Sequence, residues 1–286
     1  MLRHESLNPV MIPFTKLAGS GNDFILIDNR RGVIPASKLK RLAVQLCRRG
    51  LSVGADGLIV VEPSSRADFK WGFFNSDGSR AGFCGNGARC VARFAHIKKI
   101  APKKMIFETR VGLISAQVMS TRDERVKVCM PNPKNLRLNL QLLVNRKAHV
   151  VHSIDTGVPH CVYLVKDINA VDVQGLGEAM RHHKLFSPSG TNVNFVTVLN
   201  EGHISIRTYE RGVEGETLAC GTGSVAAAVI ASKLFSFTSP VTVIPSSGIS
   251  LIVSFGFNTK GEHQNIFLEG DARVIYDGHI KPGALS

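Results

Sequence analysis

FFNSDGSRAGFCGNGARCVARFA, residues 73–95, occurs a second time in this chain in altered form. Residues 208–230 read TYERGVEGETLACGTGSVAAAVI and line up with it. In each copy a strand-like segment ends in an aromatic and a polar residue. A glycine-bearing loop follows, and Cys-Gly-x-Gly then leads into a helical pattern. An internal repeat of this kind predicts two halves built on one plan.

The rest of the chain is rich in the two-residue alternation of strands and poor in helices. Four helices are predicted, at residues 36–49, 86–99, 175–184 and 222–235. The last is apolar on nearly every face, so we expect it to be wholly buried. Strands are predicted at 24–28, 57–63, 68–76, 104–109, 113–119, 125–130, 149–157, 161–167, 193–199, 203–210, 241–245, 250–255 and 265–276.

These elements do not alternate regularly as they would in a doubly wound fold. The pattern instead predicts an α+β fold of two strand-rich, barrel-like halves, each wrapped around one central helix. The segment MPNPKNLRLN, residues 130–139, is rich in proline and asparagine and is the best candidate for the linker between halves.

The composition favours a folded protein with a sizeable core, since 44% of the 286 residues are hydrophobic. No apolar run approaches the ~20 residues that span a bilayer. The first residues lack the hydrophobic segment of a secretory signal, so we expect a soluble, cytoplasmic protein with no membrane partner. Met11 is a candidate true start, which would make residues 1–10 an extension.

The formal net charge of +13 leaves two interpretations open. A basic patch could bind nucleic acid, or the charge could be a solvated surface that attracts an anionic substrate. The densest basic run, residues 38–49, forms an amphipathic pattern without interleaved aromatic residues. We therefore favour the solvated surface and expect no nucleic-acid partner.

Six cysteines are present, at positions 47, 84, 90, 129, 161 and 220. No pair has Cys-x-x-Cys spacing, and no Cys/His cluster has the spacing of a zinc site, so no metal is expected. Cys47, Cys129 and Cys161 lie in apolar patterns and are expected in the core.

Cys84 and Cys220 differ from the others because each stands where a helix should begin. The first turn of a helix presents backbone N–H groups and a partial positive charge, which bind a carboxylate and favour a thiolate. Two such thiols, one per half, suit inversion at carbon, in which one removes a proton and the other delivers one. The alternative is that both motifs are tight turns around buried thiols.

The ordered motifs around these cysteines resemble the diaminopimelate epimerase family. They are KLAGSGNDFILID, VGADG, FFNSDGS, CGNGARC, GVPHC, TNVNFV, YERGVEGETLACGTG and YDG, and they run from about Phe14 to Gly278. The resemblance implies a cofactor-independent isomerase that interconverts LL- and meso-diaminopimelate. It also implies a homodimer, with a site between two pseudo-symmetric domains. The domains would comprise residues 1–130 with 272–286, carrying Cys84, and residues 131–271, carrying Cys220.

The resemblance also assigns roles by motif. Cys84 and Cys220 would be the catalytic thiols, with Cys220 accepting the proton in the LL-to-meso direction, and His160 and Glu210 would orient and tune the site. Backbone N–H groups would hold the α-carboxylate at Gly85, Asn86, Gly221 and Thr222. The substrate's amino and carboxylate groups would be gripped by Asn22, Asn75, Asn192, Glu210 and Arg211, with Arg211 at the distal carboxylate.

Two positions depart from the family pattern. Many members have asparagine where this chain has Val158, and some have glutamine where it has Gly57. Both departures concern the grip on the substrate, while the thiols and the helix starts are intact. A racemase for another amino acid on the same scaffold therefore stays open as an alternative, as does a basic nucleic-acid-binding protein.

Overall fold

This computed structural model describes residues 11–120, 122 and 124–285, so the suggested extension at residues 1–10 lies outside the described residues. Contacts divide the chain into two compact units. Unit 1 holds the described parts of Met1–Leu113 and Ala272–Ser286, and unit 2 is Ile114–Asp271. The domain boundary predicted at residue 130 remains a prediction, and the division by contacts falls earlier in the chain.

The described residues form strands and helices in the following order. The strands are β1 (Ile12–Gly19), β2 (Asn22–Asp28), β3 (Gly57–Glu62), β4 (Phe69–Asn75), β5 (Lys104–Thr109), β6 (Gly112–Ser120), β7 (Arg125–Cys129), β8 (Lys134–Val144), β9 (Lys147–Asp155), β10 (Pro159–Leu164), β11 (Asn192–Asn200), β12 (His203–Glu210), β13 (Gly215–Thr217), β14 (Val241–Pro245), β15 (Leu251–Phe257), β16 (His263–Asp271) and β17 (Arg273–Ile280). The α-helices are α1 (Ala36–Leu46), α2 (Gly85–Ile97), α3 (Val173–Arg181) and α4 (Gly221–Phe235), and short 3-10 helices span Lys184–Phe186 and Pro282–Leu285.

Unit 1 is a mixed sheet in the order β17–β1–β2–β3–β4–β5. Successive pairs are antiparallel, antiparallel, parallel, antiparallel and parallel. Helix α1 buries Leu39, Leu42, Ala43 and Leu46 against one face, as its amphipathic pattern predicts. Helix α2 contacts β1, β2 and β3 and is buried from Gly85 to Ala95.

Unit 2 repeats this plan and extends it. The same series of antiparallel and parallel pairs occurs in the strand order β8–β9–β10–β11–β12–β14. The sheet then continues through β15, β16, β7 and β6. Helix α3 connects β10 to β11 as α1 connects β2 to β3, and α4 precedes β14 as α2 precedes β5. The two-fold repeat and the α+β fold predicted from the sequence are thus confirmed.

Helix α4 is the centre of unit 2. It contacts seven strands, β9 to β12 and β14 to β16, and every residue from Gly223 to Ser232 is buried. Small side chains let the surrounding strands approach the helix closely. This confirms the expectation that a helix apolar on nearly all sides is enclosed by strands.

Two stretches were predicted with the wrong local structure, and strand β1 was missed. The proposed linker at residues 130–139 is largely strand β8, which pairs with β9, and its asparagines instead mark irregular points where Asn135 and Asn139 adopt positive φ. The predicted strand at 265–276 is two strands, β16 and β17, that divide at Ala272. Strand β1 was not predicted, because its burial on both faces hides the two-residue alternation.

Candidate active site

Cys84 caps the N-terminus of α2 with its side chain. Its backbone is extended (φ −148°, ψ 120°), and its Sγ accepts a hydrogen bond from the Gly87 N–H at 3.5 Å. The Cys84 carbonyl accepts the Ala88 N–H at 2.8 Å, which starts the helical ladder. The thiol is half-buried and lies within the positive field of the first turn, where a thiolate is stabilised.

The first turn of α2 is held in place by a chain of side-chain amides. Asn86 Nδ2 donates to Asn22 Oδ1 at 2.7 Å, and Asn22 Nδ2 donates to Asp56 Oδ2 at 2.9 Å. On the other side, Asn86 Oδ1 accepts from the buried Arg89 guanidinium at 2.9 Å. The structure thus brings Asn22 and Asn86 together beside Cys84, and much of their hydrogen-bonding capacity positions the helix turn rather than facing outward.

Asn75 ends β4, and its Nδ2 donates to Ser79 Oγ at 2.9 Å. It pairs in register with Gly57, one of the two positions at which the sequence departs from the expected pattern. A Cβ at Gly57 would lie 2.7 Å from the Phe73 ring and 2.8 Å from the Phe74 carbonyl oxygen. The missing side chain therefore has a structural reason, since the Phe73 ring occupies its space.

Cys220 occupies the N-cap position of α4, as Cys84 does in α2, but its side chain makes no capping hydrogen bond. Its backbone is extended (φ −118°, ψ 112°), and its carbonyl accepts both the N–H and the Oγ–H of Ser224 at 2.9 Å. The Cys220 Sγ lies 3.5 Å from Thr222 Oγ1. The Thr222 carbonyl accepts from Thr156 Oγ1 at 2.9 Å, which ties this turn to the end of β9.

Glu210 stands beside Cys220 at the end of β12. Burial raises the pKa of this carboxyl above its usual value, and hydrogen bonds from Thr217 and from the Cys220 thiol oppose the rise. Thr217 Oγ1 donates to Glu210 Oε2 at 3.0 Å. A buried carboxylate that accepts from a thiol can take up the thiol proton.

His160 is fully buried at the start of β10, and its Nδ1 lies 3.0 Å from Asn194 Nδ2. Burial, with a smaller contribution from the Arg211 charge, lowers the pKa of His160 to about 3, so the imidazole is neutral near pH 7. Asn192 lies nearby in the sheet and fixes two backbone groups. Its Nδ2 donates to the Pro159 carbonyl, and its Oδ1 accepts the Arg211 N–H, each at 3.0 Å.

Arg211 follows β12 and extends toward Ser189, whose carbonyl accepts from its Nη1 at 3.2 Å. The side chain is part-exposed. Val158 is half-buried in the turn before β10, and its carbonyl accepts the Thr156 N–H. Within unit 2, the predicted residues therefore cluster around the first turn of α4. In unit 1, Asn86 lies in the first turn of α2, and Asn22 is hydrogen-bonded to it.

The other cysteines are in different surroundings. Cys47 and Cys161 are buried, and burial raises the pKa of Cys47 to about 12 and also raises that of Cys161. Cys129 was expected in the core but is only part-buried, and its Sγ lies 3.8 Å from the Met130 carbonyl oxygen. A high pKa makes a thiol a poor acid–base catalyst at neutral pH, so Cys47 and Cys161 are weaker candidates than the two helix-capping thiols.

A sequence model of the family described as diaminopimelate epimerase matches residues 14–136 and 152–274. The chain belongs to the diaminopimelate epimerase family. It is 43% identical over 278 residues to the diaminopimelate epimerase of Hydrogenobaculum sp. (strain Y04AAS1), which covers 93% of this chain and 97% of that relative. The diaminopimelate epimerase of Aquifex aeolicus (strain VF5) is 42% identical and covers 95% of this chain and 99% of its own length.

Solved structures of lower sequence identity share the fold of this epimerase family. A PhzF-family phenazine biosynthesis protein of Bacillus anthracis superposes with a TM-score of 0.73 at 14% identity, covering 95% of this chain and 99% of its own. A hydroxyproline epimerase from Agrobacterium vitis superposes with a TM-score of 0.70 at 15% identity, covering 97% and 95%. The matches to the family model and to the two epimerases confirm the family and the enzyme class predicted from the motifs, an isomerase acting as an amino-acid epimerase.

Two further observations concern the described residues alone. None of their helices combines the length and the apolar character needed to cross a membrane. In the same part of the chain, no three His, Cys, Asp or Glu side chains are grouped so that they could hold a metal ion.

Proposed function

We propose that this chain interconverts LL-2,6-diaminopimelate and meso-2,6-diaminopimelate by a two-base mechanism, with Cys84 and Cys220 as the bases. The observation that carries the proposal is the matched placement of these two thiols. Each is the N-cap of the buried helix at the centre of its own half, and the family membership supplies the substrate.

In the LL-to-meso direction, the Cys220 thiolate removes the Cα proton. The Cα–H bond breaks, an S–H bond forms, and the electron pair passes into the α-carboxylate, which becomes enolate-like. The Cys84 thiol then donates its proton to Cα from the opposite face. The proposal therefore requires that both thiols reach one carbon, and the roles reverse in the other direction.

Glu210 supports the first step because it accepts a hydrogen bond from the Cys220 thiol. Burial raises the pKa of this carboxyl, which makes it a better acceptor for the thiol proton when the thiolate forms. The matching thiol, Cys84, accepts a hydrogen bond from the Gly87 N–H. The Cys220 thiol thus contacts a buried carboxylate, and the Cys84 Sγ contacts a helix N–H.

The enolate-like carboxylate needs preorganised donors. The first-turn N–H groups of Gly85, Asn86, Gly221 and Thr222 have no intrahelical acceptor, and donors of this kind stabilise developing negative charge by several kcal/mol. That stabilisation allows the proposal to dispense with an electron-sink cofactor. Arg211 is proposed to bind the distal carboxylate.

The family also suggests a biological setting. Diaminopimelate epimerisation would place the chain in lysine biosynthesis and in the supply of a peptidoglycan precursor. We further propose a cytoplasmic enzyme that acts as a homodimer.

The test is proton exchange in deuterated water. Reduced protein with LL-diaminopimelate and EDTA should yield the meso isomer carrying deuterium at one α-carbon. Cys84→Ala and Cys220→Ala should each abolish this reaction, and Cys47→Ala, which removes a buried thiol at the C-terminal end of α1, should retain it. Near-normal turnover by either of the first two folded variants would show that the two-base assignment is wrong.

A folded, reduced protein that exchanges no α-proton of diaminopimelate would contradict the substrate. Proline, hydroxyproline and glutamate should then be tried in the same assay. Exchange with one of them would instead support a racemase on this scaffold, and Val158 would be the first position to examine for the change of substrate.

A further inference from the structure

His160, Asn194 and Thr208 form a buried polar trio beneath the first turn of α4. Thr208 Oγ1 donates to Asn194 Oδ1 at 3.0 Å, and Asn194 Nδ2 lies 3.0 Å from both His160 Nδ1 and the Cys161 carbonyl oxygen. The exposed fraction is 0% for His160 and Asn194 and 3% for Thr208. Burial of three polar side chains is costly unless their hydrogen bonds are made.

The bonds fix the orientation of the Asn194 amide. A backbone carbonyl can only accept, so the amide atom facing the Cys161 carbonyl must be Nδ2. The same Nδ2 faces His160, and an amide NH2 can only donate. His160 Nδ1 must therefore accept, which places the proton of the neutral ring on Nε2.

The Nε2 atom of His160, which carries this proton, lies in unusual surroundings. Among the residues that the structure describes, it is a buried side-chain nitrogen without a hydrogen-bond partner. The Arg211 charge acts on the same ring, so the imidazole lies in the electrostatic reach of the residue proposed to bind a carboxylate. A buried N–H donor without a partner, within reach of such an arginine, suits an anionic group of the substrate.

Unit 1 provides an internal comparison, because the repeat places apolar residues at the equivalent positions. Phe24 pairs with Gly57 as His160 pairs with Asn192, and Ile59 pairs with Phe73 as Asn194 pairs with Thr208. The trio in unit 1 is thus Phe24, Ile59 and Phe73. The fold does not itself require polar groups at these positions, which favours a functional reason for the polar trio in unit 2.

We propose that Asn194 is a positioning residue that holds His160 in the Nε2-protonated form, so that His160 presents a hydrogen-bond donor, and not a base, to the substrate. The part that concerns substrate rests on the proposed function. In this arrangement, His160 stabilises negative charge on the carboxylate and leaves proton transfer to the two thiols.

The tautomer can be read directly by ¹⁵N NMR of the full chain labelled at histidine. The ten histidines give ten pairs of ring signals, and those of His160 are assigned as the pair missing from His160→Gln. We expect a protonated Nε2 and an unprotonated Nδ1 at pH 7 in the unsubstituted protein. A His160 ring protonated on Nδ1 would overturn the proposal without any need for a further variant.

Two substitutions test whether Asn194 sets the tautomer of His160. Asn194→Asp replaces the NH2 by an acceptor and should move a proton to Nδ1, and kcat/KM should fall by about 10- to 100-fold as the donor is lost. Thr208→Val alters the same trio but leaves the bond from Asn194 to the Cys161 carbonyl, so the tautomer should be unchanged. A changed tautomer in Thr208→Val, or an unchanged one in folded Asn194→Asp, would contradict the role of Asn194.

The substrate contact is tested by adding diaminopimelate, which should shift the His160 Nε2 signal more than its Nδ1 signal. Absence of that shift in a protein that exchanges the α-proton would refute the donor role and leave the proposed function intact. The expected tautomer in a protein that exchanges no α-proton would instead refute the function and leave the role of Asn194 standing.

Discussion

Gly223 is the third residue of α4 and cannot carry a side chain without a collision. A Cβ built there would lie 2.3 Å from Asn194 Oδ1 and 3.3 Å from the Cys220 Cβ. The first distance is about 1 Å inside ordinary van der Waals contact. Asn194 cannot yield easily, because three hydrogen bonds hold its buried amide.

Gly87 is the equivalent position in α2, and the side chain nearest to it can move more easily. A Cβ there would lie 3.2 Å from Ile59 Cδ1, the end of a flexible side chain, and 3.6 Å from the Trp71 ring. The two glycines thus occupy the same position in the same motif, with different neighbours beneath them. Alanine substitution at both therefore isolates the effect of the Asn194 contact.

The expected magnitudes follow from three contributions. Alanine in a helix gains about 0.5–1 kcal/mol over glycine. Overpacking a core costs about 1–3 kcal/mol, and displacing Asn194 loses at least one hydrogen bond of about 1 kcal/mol. Gly223→Ala should therefore lower the free energy of unfolding by about 2 kcal/mol, whereas Gly87→Ala should stay within about 1 kcal/mol of the unsubstituted protein.

Urea unfolding can test this difference. Far-ultraviolet circular dichroism follows both units, and the single tryptophan, Trp71, reports unit 1 alone by its fluorescence. Gly223→Ala should shift the circular dichroism transition to lower urea and should also slow α-proton exchange, since Asn194 moves. A Gly223→Ala protein as stable as Gly87→Ala would refute the reasoning.

Three further outcomes are expected. Glu210→Gln should reduce kcat by about 10²-fold or more in the deuterium-exchange assay, because the carboxylate that takes up the thiol proton is lost; an unchanged kcat would exclude that role. Burial, aided by the Lys233 charge, lowers the pKa of His263 to about 4, below the unfolded value of about 6.5. Its contribution to stability is therefore present above pH 6.5 and is lost as the pH falls toward 4, so the unfolding midpoint should decline less steeply on acidification in His263→Gln than in the unsubstituted protein. Iodoacetamide at pH 8 should label Cys84 in the folded protein and leave Cys47 unlabelled, as peptide mass spectrometry would show; equal labelling would contradict the difference in burial.

Much of the fold could be predicted because the pattern of apolar, polar and glycine residues in the repeat corresponds directly to burial and to helix starts in the structure. Helix α4 was predicted as buried from its unbroken run of small and apolar residues, and it lies inside the sheet of unit 2. Strand β8 was missed for the opposite reason. Most of its residues are exposed, so it lacks the alternation that burial on one face imposes, and its asparagines resemble a loop.

The candidate site was predictable as far as the motifs reach. The two cysteines directly precede the helices whose starts the glycines predict. Asn22 and Asn86, which are far apart in sequence, are hydrogen-bonded to each other. Asn194 was not singled out, although an asparagine inside the predicted apolar strand at residues 193–199 was a usable signal. Its role depends on the register between neighbouring strands, which the sequence does not specify.

The position of β17 has a consequence for how the protein is made. This strand pairs with β1 from Ile12↔Ile280 to Ala18↔Arg273, so the sheet of unit 1 joins the early and late parts of the chain. Unit 2 is one continuous stretch of the sequence, Ile114–Asp271, and it separates these two parts along the chain. As the ribosome proceeds, unit 2 can acquire all its strands while β1 still awaits its neighbour. Until β17 is released, β1 has an unsatisfied edge, and a nascent unit 1 is the part most exposed to wrong strand pairing.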